Sequence, residues 1–395
     1  MQTIILTGGG SGGHITPILA VAAELKQLQP DVRLVFVGQK GDSLTRLPAA
    51  HPSIDEVQLI SAGKFRRYHG EGLRQLLHAP TVAKNFRDFF KVAGGAGQAY
   101  RLLGKLHAKV IYTPGGYVGV PVGMAAARRG IPVLTHDLDA LPGLANRINA
   151  RWAARHITAL PPEMYKYPVE QVVYAGVPVA KEFQRVTTKL QQEYRQQLGL
   201  PADAQILFII GGGQGAQRIN DAVLTDASSL LEQLPKLHII HVAGTTNQQS
   251  VSDRYDTMLP ELQRRRVQVK GFTEEVYRFS GAADLIITRA GATNMAEFEN
   301  QHKACVVIPG AALSGGHQVK NVQRWVDARA IALLPEDELA KAGTLFETVS
   351  ELLTSPERLA EMGERLGSFA KPEAAKTVAR TILEVLYQKN HKDGK

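Results

Sequence analysis

Cysteine is almost absent from this chain: Cys305 is the only one in 395 residues. A lone thiol cannot form an internal disulfide and has no partners for a cysteine metal site, so Cys305, inside the apolar run 304–309, is expected to be a core thiol. Long hydrophobic runs are also missing, and none approaches the roughly 18 residues of a membrane span. The first residues enter an apolar strand with no basic segment or cleavage site, which predicts a chain that stays in the cytoplasm. Low-complexity segments are lacking as well. With 44% apolar and 21% charged residues the composition is that of a soluble globular chain, and 395 residues exceed what one core usually fills, so two domains are expected.

Basic residues are plentiful but local. The chain carries a net charge of +9, and residues 61–109 alone hold +8, from Lys64, Arg66, Arg67, Arg74, Lys84, Arg87, Lys91, Arg101, Lys105 and Lys109 against Glu71 and Asp88. Such concentration points to one acidic surface met by one domain. Val82, Phe86, Phe89 and Phe90 recur there at helical spacing beside Lys84, Arg87 and Lys91. A basic, aromatic helix suits an anionic bilayer, with Arg66, Arg67, Phe86, Arg87, Phe90 and Lys91 as docking residues. The alternatives are that the stripe packs on a sheet, or that the charge meets nucleic acid, although no helix-turn-helix, RNP or zinc pattern accompanies it.

Strand-like runs alternate with helical ones, the mark of parallel sheets covered on both faces. Strands are expected at TIILT, RLVFVG, KVIYT, PVLTHD and HITAL in the first half, and at ILFII, LHIIHVA, VQVKGF, LIITR, ACVVIP and AIALL in the second. Helices are expected over 16–28, 122–129, 217–234, 293–300 and 317–327, the domain join near 174–179, and a last helix near 373–388 that returns to the first domain. The fold class is α/β: two Rossmann-like, doubly wound domains facing a cleft, over 1–176 and 177–372.

Two glycine loops follow apolar strands and open helices: GGGSGGHITP from Gly8, and GGGQGAQRIN from Gly211. Backbone N–H groups in such loops meet phosphates. Both fit the dinucleotide pattern, yet neither half has the acid that would bind ribose hydroxyls after its second strand, which disfavours NAD and an oxidoreductase. His14 follows the first loop at a helix start, where the positive helix end disfavours a protonated ring and suits a neutral general base. A capping or packing histidine is the alternative.

The ordered motifs GGGSGGHITPILAVAAEL, PGGYVGVPVGMAA, IPVLTHD with PGLANR, GGGQGAQRIN, Gly271-Phe272, RAGATNMAE and GHQVKN run through residues 4 to about 385. In this order they resemble the MurG family of glycosyltransferases, family 28. The resemblance implies a GT-B fold and an inverting transfer of N-acetylglucosamine (GlcNAc) from UDP-GlcNAc to the 4-hydroxyl of a lipid-linked muramyl-pentapeptide in peptidoglycan synthesis. It also implies a peripheral position on the cytoplasmic face of the membrane. UDP-GlcNAc enters as co-substrate, with no tightly bound cofactor and no protein-bound metal. By motif, His14 is the expected base. Ser11, Gly12, Gly13, Asp139, Gly212, Gly213, Gln214, Phe272, Thr273, Ala292, Thr293, Glu297, His317 and Gln318 are expected on the donor side, with Glu297 on the ribose hydroxyls. Gly10, Gly115, Gly116 and Tyr117 are expected on the acceptor side. Asn321 shares the helix of Gln318.

The chain departs from the family at several places. His136-Asp137-Leu138-Asp139 stands where the family has H-E-Q-N, Ala180 replaces a phosphate-facing arginine with Lys181 next to it, and Gly213 replaces a serine. Asp137-Leu138-Asp139 also reads D-x-D, a pattern that holds a divalent ion in another glycosyltransferase fold. Rival readings are a GT-B transferase with another sugar or lipid acceptor, a UDP-GlcNAc epimerase, and a noncatalytic lipid- or nucleic-acid-binding module.

Overall fold

The computed structural model describes residues 1–63, 79–212, 215–310, 317–341 and 343–393, with backbone alone at 79–85, 317–320, 340 and 389–393. The chain divides into two compact units, one of Met1–Ala180 with Lys371–Lys395 and the other of Lys181–Ala370.

In the first unit the strands are β1 (Thr3–Thr7), β2 (Arg33–Gln39), β3 (Glu56–Ile60), β4 (Ala108–Thr113), β5 (Val133–Asp137), β6 (Ala153–Thr158) and β7 (Val172–Tyr174). They form one parallel sheet in the order β3-β2-β1-β4-β5-β6-β7. Strand order reverses between β1 and β4, so the loops leaving these two neighbours part to opposite faces and open a crevice at their carboxyl ends. The first glycine loop and the loop at 114–118 both lie there. Neither β3 nor β7 was predicted in full: both are edge strands, and most of their residues are only partly buried, so neither carries a strong apolar run.

The second unit repeats the plan with β8 (Gln205–Ile210), β9 (Leu237–Val242), β10 (Val267–Lys270), β11 (Leu285–Thr288), β12 (Cys305–Val307) and β13 (Ala332–Leu333). Their parallel order is β10-β9-β8-β11-β12-β13, with the reversal between β8 and β11. The second glycine loop follows β8 and the RAGATN segment follows β11, so both stand at this switch point. Cys305 is fully buried among Phe208, Met295 and Trp325, and burial pushes its thiol up, as a core thiol requires.

Helices close both faces of the sheets. The first begins at Gly12 rather than Thr16 and runs to Leu28, which places His14 in its opening turn and Pro17 inside it. The last, Ala374–Asp393, lays Val378, Ala379, Ile382 and Leu386 against Ile15, Ile18 and Val21 in the core of the first unit. Helix Ala79–Lys105 corrects the reading in which its phenylalanines pack on a sheet. Phe86, Phe89 and Phe90 are each more than half exposed, whereas Asp88, Val92, Ala99 and Leu103 turn inward. The side chain of Val82, like Arg66 and Arg67, lies outside the described residues. Among the described residues no helix is long and apolar enough to cross a membrane.

Candidate active site

The two loops of the first unit are fitted to one another. Gly116 has φ +82°, and a Cβ there would stand 2.6 Å from the carbonyl oxygen of Gly9, so no side chain fits where the loops meet. The ring of Tyr117 lies over Gly10, and the Gly10 N–H donates to Asp42 Oδ2 over 3.3 Å. Asp42 was not singled out in the sequence. Its second oxygen accepts from the Leu44 N–H, which caps a short 3-10 turn and fixes the carboxylate beside the loop.

Beside these loops is a cavity of about 220 Å³ lined by His14, Gly115, Gly116, Tyr117, Asp139 and Asn146, among others. It brings together the expected base and three of the expected acceptor residues. Asp139, grouped above with the donor residues, lines this same cavity. His14 Nδ1 lies 3.0 Å from Ser11 Oγ. Burial holds the imidazole below the usual histidine range, opposed by the negative charge of Asp139 and by the Gly9 carbonyl. The ring is therefore neutral at pH 7.

His136 and Asp137, at the end of β5, are committed to the protein. His136 Nε2–H donates to the Gly176 carbonyl over 2.9 Å, which leaves Nδ1 to accept from the Tyr112 hydroxyl over 2.9 Å. Burial pushes this ring down to about 3, so it remains neutral and ties β5 to the chain after β7. Asp137 accepts from Asn146 Nδ2 at 2.9 Å and from the Tyr167 hydroxyl at 2.7 Å. Burial pushes its carboxyl up to about 6 despite both donors. Each Asp137 oxygen thus accepts from one protein donor, which gives this half of the D-x-D pattern a role in holding the protein together. Among the described residues no three His, Cys, Asp or Glu side chains gather as a metal would require.

In the second unit, Gly215 has φ +76°, and a Cβ there would stand 2.1 Å from the Ala243 carbonyl oxygen. The side chains of Asn220 and Asn247 donate to that same carbonyl, at 3.0 and 3.2 Å, and so tie the loop and its helix Gln217–Gln233 to the end of β9. Gly212 has open space around it, while Gly213 and Gln214 lie outside the described residues. Across the strand reversal, helix Ala292–Gln301 starts after Gly291 and carries Thr293 and Glu297, both buried. Burial alone pushes the Glu297 carboxyl up to about 8. Phe272 and Thr273 are half-buried after β10, with Thr273 Oγ1 accepting from the Glu275 N–H over 3.1 Å. Helix His317–Asp327 supplies a buried Asn321, and the side chains of His317 and Gln318 lie outside the described residues.

Glu336, which carries no motif, is a buried carboxylate just beyond β13 whose oxygens bind Arg289 and Arg218. The three charges lock the loop after β11 to the helix after β8. Their separation along the chain hides the cluster, which only the order of strands brings together.

The comparisons with known proteins agree along the chain. Residues 4–158 match the glycosyltransferase family 28 N-terminal domain and residues 206–378 its C-terminal domain. The chain is 31% identical to a Salinibacter ruber protein over 96% of both chains, and 30% identical to one from Desulforudis audaxviator over 96% of this chain and 97% of that one. Both carry the name UDP-N-acetylglucosamine--N-acetylmuramyl-(pentapeptide) pyrophosphoryl-undecaprenol N-acetylglucosamine transferase. Among solved structures, Acinetobacter baumannii MurG superposes with TM-score 0.68 at 24% identity, covering 97% of this chain and 100% of that one, which supports the GT-B fold. With both domains matched in order and relatives aligned nearly end to end, the chain belongs to glycosyltransferase family 28.

Proposed function

We propose that this chain transfers GlcNAc from UDP-GlcNAc to the 4-hydroxyl of an undecaprenyl-diphosphate-linked N-acetylmuramyl-pentapeptide. The observation that carries the reading is His14, held neutral by burial in a cavity that also contains the Gly115–Tyr117 loop. The family and the names of the relatives supply the substrates.

In the reaction, His14 Nε2 takes the proton of the 4-hydroxyl as that oxygen attacks the anomeric carbon. For this the ring must carry its own proton on Nδ1 and donate it to Ser11 Oγ. The bond from the anomeric carbon to the diphosphate breaks on the opposite face, and the configuration inverts. By motif, Gly212, Gly213 and Gln214 are the residues for the departing UDP, and the helix dipole at the start of Gln217–Gln233 favours its charge. Glu297 accepts from the ribose hydroxyls, and Phe272, Thr273, Ala292, Thr293, His317 and Gln318 complete the nucleotide-sugar pocket.

The lipid end of the acceptor belongs at a membrane. Helix Ala79–Lys105 supports this, because its outer face carries Phe86, Phe89 and Phe90 with exposed Arg87 and Lys91, while Val92 reaches the cavity of His14. An apolar face next to cations fits an anionic bilayer surface, with Arg66 and Arg67 as further docking residues and the cytoplasmic face as the location. Incubating the protein with UDP-GlcNAc and a lipid-linked muramyl-pentapeptide tests the proposal. Disaccharide and UDP formed in equal amounts support it, and UDP-GlcNAc turned over equally without acceptor contradicts it.

A further inference from the structure

We infer that Asn146 reads the acceptor sugar through its side-chain carbonyl, which accepts a hydrogen bond from the 6-hydroxyl, and that Asp137 with Tyr167 sets the orientation of that amide. The inference rests on the proposed transfer to a muramyl acceptor.

Asn146 lines the cavity of His14 and is 2% exposed. Its Nδ2 donates to two oxygens, the His136 carbonyl at 2.8 Å and Asp137 Oδ1 at 2.9 Å. A flipped amide would set its oxygen against both of these acceptors, so the orientation is decided by chemistry. Asp137 is itself held, since its other oxygen accepts from Tyr167, whose ring stacks on His156 at 3.9 Å between centroids. This arrangement leaves Asn146 Oδ1 buried with no hydrogen-bond partner among the described residues. Buried carbonyl oxygens are seldom left so, and one that lines a cavity calls for a donor on the ligand.

The position of that donor follows from Gly115. A Cβ placed on Gly115 would lie 3.6 Å from His14 Nε2 and 3.6 Å from Asn146 Oδ1, so both atoms flank one small volume. A hydroxyl has a single proton. If the 4-hydroxyl gives its proton to His14, Asn146 must take a different one from a group close by. On a muramyl ring the 3-oxygen is an ether and has no proton, which leaves the 6-hydroxyl as the neighbouring donor. The acetamido N–H on carbon 2 is the more distant alternative. In this role Asn146 touches substrate, Asp137 and Tyr167 act through it, and the sequence D-L-D serves a hydrogen-bond lock.

The test is a cycle of enzyme variants against acceptor analogues, with kcat/KM measured for the parent acceptor, a 6-deoxy analogue and an N-methylated acetamido analogue. The wild type is expected to lose about tenfold to a hundredfold on the 6-deoxy analogue. N146A should lose a similar factor on the parent and little more on the analogue. D137N, which leaves only the His136 carbonyl to hold the amide orientation, should lose part of its discrimination between the two acceptors, whereas a merely structural defect would slow both alike. UDP binding, retained in each variant, reports that the protein is folded. A wild type indifferent to the 6-deoxy change, losses that multiply in N146A, or sensitivity confined to the N-methyl analogue would each overturn the inference alone. Failure of the wild type on the parent acceptor would overturn the proposed transfer as well.

Discussion

Ser11 Oγ and His14 Nδ1 lie 3.0 Å apart across the first turn of the helix that follows the glycine loop. Ser11 Oγ can accept from a proton on Nδ1, and in that tautomer Nε2 is the nitrogen left to act as the base. Replacing His14 by alanine is therefore expected to lower kcat by about a hundredfold to ten-thousandfold at saturating substrates. Ser11→Ala keeps the imidazole but loosens its tautomer, with an expected loss of about tenfold. Steady-state kinetics on the two variants checks both, and wild-type kcat in His14→Ala would remove His14 as the base.

The pH profile carries the sign of the His14 shift. Burial lowers the pKa of the ring, so the base is lost only as pH falls through a value under the usual histidine pKa of roughly 6.5. Asp139 holds the ring up, so Asp139→Asn is expected to move the acid limb of kcat/KM to still lower pH. Burial pushes Asp137 in the same cavity up to about 6, and the limb is expected to survive in Asp137→Asn if it belongs to His14. A limb at or above the ordinary histidine value in the wild type would contradict the geometry.

Glu297 makes an opposite prediction for stability and binding. Its folded pKa is raised to about 8, so the folded protein holds a proton that the unfolded chain releases above the ordinary carboxylate value of 4.5. Its contribution to stability is therefore lost as pH rises between those two values. Glu297→Gln removes the ionisable group and is expected to stabilise the ligand-free protein by on the order of 3 kcal/mol at pH 7. The same change should weaken uridine binding about tenfold or more, since a carboxylate accepts from both ribose hydroxyls better than an amide. Uridine affinity of the wild type should rise from pH 6 to pH 8 as the ionised form becomes available. Thermal unfolding and calorimetric titration measure both effects.

Helix Ala79–Lys105 predicts separable contributions to membrane binding. Phe90 meets Phe86 and Phe89 edge-on and all three rings are more than half exposed, so changing them to serine should leave folding within about 0.5 kcal/mol of wild type. The same change should reduce binding to anionic vesicles. Charge reversal at Arg87 and Lys91 should weaken binding at low salt and have little effect at high salt, as screening requires. Vesicle sedimentation at two ionic strengths distinguishes the two. Unchanged binding in both variants would count against this face.

Much of the fold was legible because its local signals agree. Apolar strands such as TIILT and ILFII lie in the centres of the sheets, where burial on both faces demands continuous apolar runs, and they were read almost residue for residue. Edge strands such as β3 carry mixed sequences and escaped. The first helix was read short because Pro17 resembles a first-turn residue, although the chain is already helical from Gly12. Within the site, the glycines and His14 announce themselves by pattern. Asp42, Asn146, Tyr167 and Glu336 do not, because what distinguishes each is a partner 9 to 118 positions away that the order of strands supplies. Phe86, Phe89 and Phe90 show the limit of helical periodicity, which gives a stripe without saying whether it faces core or solvent.

The most direct measurement is the product formed from UDP-GlcNAc and a lipid-linked muramyl-pentapeptide, with UDP-glucose as the competing donor and each donor also incubated alone. The account predicts an inverted, 4-linked disaccharide from UDP-GlcNAc, one UDP released per disaccharide, and strong preference over UDP-glucose. Folded protein that forms no disaccharide from either donor, or that consumes UDP-GlcNAc equally well without acceptor, would contradict it.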